Sequence, residues 1–216
     1  MGDAMSSNAA KIYRQPYEIR QALASLGLTE EIARRIAFAA GAARASTIEV
    51  DPAGTPGQLS YIYGVRQVRL ELLPLGWRRA RFNNVESTVN DELGIQIVFQ
   101  NVDLACTPKD PEAISGKGAA SRDLVSNGTI DMFDNVTALS KSKYGSTPRV
   151  WMFCFSSGAE GGSAEISCPQ VFEGNQFEGF SERIWVLNGE GGPSPEPREK
   201  SGPDDDLGLD LVISRK

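Results

Sequence analysis

Residues 58–82 read QLSYIYGVRQVRLELLPLGWRRARF, directly after the turn-rich DPAGTPG of residues 51–57. Within this stretch Val68, Leu70 and Leu72 alternate with Gln67, Arg69 and Glu71, the period of two that a half-buried strand shows. QLSYIYG and VRQVRLELL therefore read as strands, LPLG as a turn with Pro74 well placed, and WRRARF as a return strand. The expected structure over residues 66–81 is a β-hairpin rich in arginine.

Outward from this hairpin the pattern differs on its two sides. Upstream, Pro16 suits a first helical position, Ile19, Ala22, Leu23 and Leu26 share a helical face, and Gly27 can end the helix in a left-handed conformation. Thr29 can cap a second helix whose Glu30 and Glu31 suit its N-terminal end and whose Ile32, Ile36, Ala39, Ala40 and Ala43 form an apolar stripe. A helical hairpin, 16–27 and 30–45, follows. A DNA-reading helix-turn-helix is disfavoured, because Glu30 and Glu31 would open the recognition helix with the wrong sign.

Downstream, GIQIVFQNVD places Ile95, Ile97 and Phe99 on one face and Val98 and Val102 on the other, so both faces are expected to be covered in a central strand. Residues 104–123 have the composition of a long loop, and Ile130, Phe133, Val136 and Leu139 suggest a short helix over 130–139. RVWMFCFSS, SAEISCPQVF and SERIWVLN supply three further strands of an antiparallel meander. Several consecutive strands behind a helical start give an α+β class: an N-terminal helical hairpin packed on a mostly antiparallel sheet.

The expected organisation is a flexible N-terminus, 1–15; one α+β domain, 16–187, with the hairpin at 16–45 and the sheet at 47–187; a linker or loop, 188–206; and a C-terminal strand, 207–216. The linker carries four glycines and four prolines among its 19 residues. Beyond it Leu207, Leu209, Leu211 and Ile213 alternate, so this strand should add to a sheet edge, in this chain or in a partner.

Composition narrows the chemistry. The chain has no histidine, which removes Ser-His-Asp and Cys-His nucleophile activation and His-containing zinc sites. Cys106, Cys154 and Cys168 form an odd set without CxxC spacing, as expected of reduced cytosolic thiols. No apolar run reaches the ~18 residues of a membrane span and the first residues lack a secretory pattern, so a cytoplasmic location is expected.

Charge is divided. Residues 1–81 hold eleven basic and seven acidic side chains, residues 82–216 eleven and twenty-one, for a net charge of −6. The basic half could face an anionic partner, or the two halves could pair within the fold. Arg66, Arg69, Trp77, Arg78, Arg79 and Arg81 are the candidate binding residues. Trp77, Arg79 and Arg81 share one strand face, and two guanidinium forks beside an indole suit phosphate contact and base stacking. Against this, Glu71 and the nine acids between Glu86 and Asp134 offer internal partners.

Two weaker candidates remain. Ser115, Gly116, Lys117 and Gly118 could form an anion-binding loop, but Lys117 is followed by glycine and the P-loop order is absent. Asp103, Asp123, Glu165 and Glu182 could hold Mg²⁺ for phosphodiester hydrolysis, if at least two converge within ~5 Å of one point. The preferred reading is a non-enzymatic binding or adaptor protein without a cofactor, acting on another protein or complex, with nucleic acid as a further ligand of the arginine hairpin; the alternative is an Mg²⁺-dependent nuclease or phosphohydrolase.

Overall fold

The computed structural model describes residues 10–82, 85–114, 148–158, 161–170, 172–173, 176–177 and 179–189. The class is α+β, with three helices and a mixed seven-stranded sheet. The helices are α1 (Pro16–Ser25), α2 (Glu30–Ala45) and α3 (Thr55–Leu72), the last followed by a single 3₁₀ turn, Leu73–Leu75. The strands are β1 (Lys11–Tyr13), β2 (Arg78–Phe82), β3 (Val85–Asn90), β4 (Ile95–Asn101), β5 (Arg149–Gly158), β6 (Gly161–Pro169), β7 (Phe172–Glu173), β8 (Gln176–Phe177) and β9 (Phe180–Leu187).

The large sheet runs β1-β9-β6-β5-β4-β3-β2, and β7 and β8 form a separate two-stranded ladder. The β4/β5 and β1/β9 pairs are parallel and the remaining pairs of the large sheet antiparallel. β4 is interior, between β3 and β5. Lys11–Tyr13, inside the segment read as a flexible terminus, is an edge strand whose residues pair with Glu182, Arg183 and Ile184 of β9.

The first two helices start and stop where their local chemistry directs. Thr29 Oγ1 accepts a hydrogen bond from the Ile32 amide at 3.2 Å, and Gly27 takes a φ of +67° in the turn between α1 and α2. Leu23, Ile36 and Ala40 join Ile97, Phe153, Ile166 and Ile184 in one core on the helix-bearing face of the sheet. Val98, Val102, Met152 and Cys154 form a second core on the opposite face, with Ala105 and Cys106 of the segment that follows β4. Alternation thus buries both faces of β4, as its composition predicts.

The expected hairpin over 66–81 is not formed. Residues 55–72 are one helix, and Arg66 and Arg69 lie on it rather than on a strand. Its buried residues are Ser60, Gly64, Val68 and Leu72, spaced by four, with Tyr61 and Val65 packed beside them. Leu70, the middle member of the apparent alternation, is 61% exposed. The stretch carries both periods, and eighteen residues of helix bury a longer continuous stripe against β4 than two short strands would. Pro56 in the first turn and a Gln67–Glu71 side-chain hydrogen bond of 2.7 Å support the helix locally.

Ser60 Oγ donates to Asn101 Oδ1 and Asn101 Nδ2 donates to the Gly57 carbonyl, both at 2.9 Å, which fixes the start of α3 over β4. Among the described residues no helix is long and apolar enough to cross a membrane. The helix suggested over 130–139, the linker of 188–206 apart from Asn188 and Gly189, and the strand of 207–216 lie outside the described residues.

Candidate functional site

Because α3 is a helix, its residues divide into a stripe facing the core and a stripe facing away. Ile62, Arg66, Arg69 and Leu73 follow one another at four-, three- and four-residue steps, so they line one side of the helix. That side overhangs β2, the outermost described strand of the sheet at this end. Arg79 of β2 and Glu86 of β3 complete a groove of about 410 Å³ whose wall is mostly apolar, from Tyr61, Ile62, Val65, Leu70 and Leu73. Ile62 is 47% exposed.

The groove is positively charged. Glu86 pairs with Arg69 and, at 3.3 Å, with Arg81. The Arg66 guanidinium lies 4.4 Å from the centre of the Tyr63 ring. Arg79 is exposed and makes no ion pair among the described residues. Among the residues that line the groove, one carboxylate thus faces three guanidinium groups. Burial, aided by the Glu86 charge, pushes the Tyr61 hydroxyl above its usual range, so it stays protonated as a donor. Arg69 Nε is buried without a hydrogen-bond acceptor in the described structure.

Of the sequence candidates, Arg66, Arg69 and Arg79 meet in this groove and Arg81 reaches it through Glu86. Arg78 does not. It forms a two-pronged pair with Asp91, at 2.7 and 2.8 Å, which holds its guanidinium pKa above the ordinary value. Trp77 does not either: it is 5% exposed and belongs to the helix-side core with Leu23 and Leu72. An indole placed there has no face for a base, which corrects its reading as a stacking platform.

The carboxylate candidates are dispersed. Asp103 accepts from the Glu112 amide at 2.7 Å and lies 3.4 Å from Lys109 Nζ. Glu165 is fully buried: Arg183 Nε and Nη2 donate to its two oxygens at 2.8 and 2.7 Å, Ser167 Oγ at 2.6 Å and the Cys106 amide at 2.6 Å. Glu182 accepts from Tyr13 Oη at 2.8 Å and pairs with Arg149. Glu165 lies with Cys106 on the second-core face, whereas Glu182 meets Tyr13 on the helix-side face, so the two do not share a point. Among the described residues no three His, Cys, Asp or Glu side chains gather as a metal site. Asp123 and the Ser115, Gly116, Lys117, Gly118 loop lie outside the described residues.

Comparison adds no relative. No family model, curated protein or solved structure matches this chain.

The groove residues that sequence reasoning missed are Tyr61, Ile62, Val65, Leu70, Leu73 and Glu86. A helical projection of residues 55–72 would have found Ile62 and Leu70, which separate there with Arg66 from the core stripe. The position of Glu86 depends on the β2/β3 register, in which Arg81 pairs with Glu86.

Proposed function

We propose that the protein is a non-enzymatic binding module that takes an extended, acidic and apolar segment of a partner protein in the groove between α3 and β2. The observation that carries this reading is the combination in one cleft of an exposed aliphatic wall with three guanidinium groups and one carboxylate. An aliphatic wall favours a side chain over a phosphate chain, and charge of one sign sets orientation and speeds encounter. β2 has a sheet neighbour on one side only among the described residues, so its outer backbone can accept an added strand. Burial of Trp77 withdraws the stacking surface that a single-stranded nucleic acid needs, which favours a protein ligand.

The test is fluorescence anisotropy with a labelled octapeptide alternating aspartate and leucine, on the full chain and on its Arg66→Glu/Arg79→Glu variant. Saturable binding is expected, weakened about tenfold or more by the charge reversal and reduced by salt. Equal binding by both forms would overturn the reading, as would preferential binding of an oligothymidylate or Mg²⁺-dependent cleavage of it.

A further inference from the structure

We infer that Arg69 is the residue that reads the ligand's acid in the groove and that Glu86 is an internal carboxylate which this acid displaces. This rests on the binding reading given above and names the side chains that decide which ligands the groove takes.

The first observation is a comparison of guanidinium groups within the chain. Arg35, Arg78 and Arg183 each present Nε and Nη2 to the two oxygens of one carboxylate, that of Glu71, Asp91 and Glu165 respectively, at 2.7–2.8 Å. Two parallel bonds of this kind suit the planar fork of an arginine. Arg69 departs from the pattern. Its Nη2 donates to Glu86 Oε2, while its Nε is buried without an acceptor among the described residues.

The second observation explains the half-filled fork. Glu86 Oε1 lies 3.3 Å from Arg81 Nε, and Arg81 stands directly opposite Glu86 in the β2/β3 register. One carboxylate is therefore divided between an arginine of α3 and an arginine of β2, and only one of its oxygens serves Arg69. A ligand carboxylate can offer Arg69 both of its oxygens. Glu86 keeps its cross-strand partner when it lets Arg69 go, so the exchange leaves no carboxylate stranded.

The third observation is burial. The Arg69 side chain is 24% exposed, whereas Arg79 is exposed and Arg66 is exposed above the Tyr63 ring. Exposed guanidinium groups are screened by water and salt, so Arg66 and Arg79 draw an acid towards the groove with little geometric choice. A charge-assisted bond to a partly buried fork is stronger and demands a planar partner with two oxygens. Discrimination among acids therefore falls to Arg69.

The test measures anisotropy of the labelled aspartate-leucine octapeptide on the full chain and on its Glu86→Gln and Arg69→Lys variants, and follows the ¹H–¹⁵N signal of Arg69 Nε in the full chain and in Glu86→Gln as acetate is added. Exchange of the β5 amides, equal in all forms, controls for folding. Glu86→Gln is expected to bind the octapeptide about tenfold more tightly, because the competing charge is gone, and Arg69→Lys about tenfold more weakly, because charge is kept and the fork is lost. Acetate should shift the Arg69 Nε signal at lower concentration in Glu86→Gln than in the full chain. Weaker binding by Glu86→Gln would show that Glu86 positions Arg69 rather than competes for it, and would overturn the inference. Unchanged affinity in Arg69→Lys would overturn it in favour of charge alone. If the octapeptide binds all three forms equally and Arg66→Glu/Arg79→Glu abolishes this, the groove reading stands and the present inference falls. If the octapeptide binds none of them and acetate still shifts Arg69 Nε more readily in Glu86→Gln, the exchange at Arg69 stands and the partner reading falls. Absence of both responses would sink the two together.

Discussion

Gly64 of α3 sits directly against the ring of Phe99 on β4: a Cβ at position 64 would lie 2.4 Å from the ring carbons. The helix rests on the sheet at this point because the residue has no side chain. Phe99 in turn stacks on Phe153, with ring centres 5.7 Å apart and planes 15° from parallel, so it has little room to withdraw. Two effects oppose one another in Gly64→Ala. Helix propensity alone would stabilise the change by about 1 kcal/mol, and overpacking a filled core costs about 1–3 kcal/mol. The contact is far inside any tolerated distance, so net destabilisation is expected in urea unfolding. Phe99→Leu in the same chain should reduce the added cost of Gly64→Ala, and strict additivity of the two would refute the steric account.

Arg183 and Glu165 form a fully buried pair that also holds the Cys106 amide and thus anchors the segment after β4 to the second face of the sheet. Arg183→Met removes one charge and strands the other. A cost of about 3–5 kcal/mol is expected, and Glu165→Met/Arg183→Met should cost less than the two single changes together. Limited proteolysis should cut within residues 103–114 faster in Arg183→Met than in the wild type; equal rates would show that the pair does not secure this segment.

Glu71 accepts two hydrogen bonds from Arg35, both at 2.8 Å, and this pair holds the Glu71 carboxyl below its ordinary value of 4.5. A carboxyl with a lowered pKa in the folded state contributes stability that is complete above 4.5 and is lost as pH falls through the folded value. Glu71→Gln is therefore expected to destabilise at pH 7 and by a smaller margin at pH 3. The effect is small and salt-sensitive because the Arg35 side chain is 53% exposed. Denaturation midpoints at the two pH values provide the check.

Burial, aided by the neighbouring Glu165 charge, pushes the Cys106 thiol up to about 12. At pH 8 the thiolate fraction is then roughly one in ten thousand, and the thiol is enclosed as well. Cys154 and Cys168 are buried too. Iodoacetamide at pH 8 should leave all three unmodified in the folded protein and alkylate all three in urea, as read by mass spectrometry. Rapid labelling of Cys106 without urea would show that the segment around it opens readily.

The helical hairpin, the interior strand β4 and the three strands β5, β6 and β9 were legible in the residues, because each is specified locally. Pro16, Gly27 and Thr29 mark helix ends, and alternation of Ile95, Ile97 and Phe99 with Val98 admits no helical stripe. The candidate arginines were legible as a cluster, since three of the six named candidates, Arg66, Arg69 and Arg79, line one groove and Arg81 pairs with its Glu86.

The state of residues 55–72 was not legible, and with it went the shape of the site. Val68, Leu70 and Leu72 satisfy a period of two, while Ser60, Gly64, Val68 and Leu72 satisfy a period close to four, and Pro56, which suits a first helical turn, equally suits the turn-rich DPAGTPG and does not separate the alternatives. The choice rests on what the stretch packs against. A helix here lays Gly64 onto Phe99 and joins Ser60 to Asn101, and both partners come from a strand more than thirty residues away. Local chemistry alone was therefore enough to set the class and most of the elements of this protein. Which arginines share a cleft, and whether Trp77 meets solvent or core, came from packing between distant segments, because neither period wins until β4 supplies the surface it must cover.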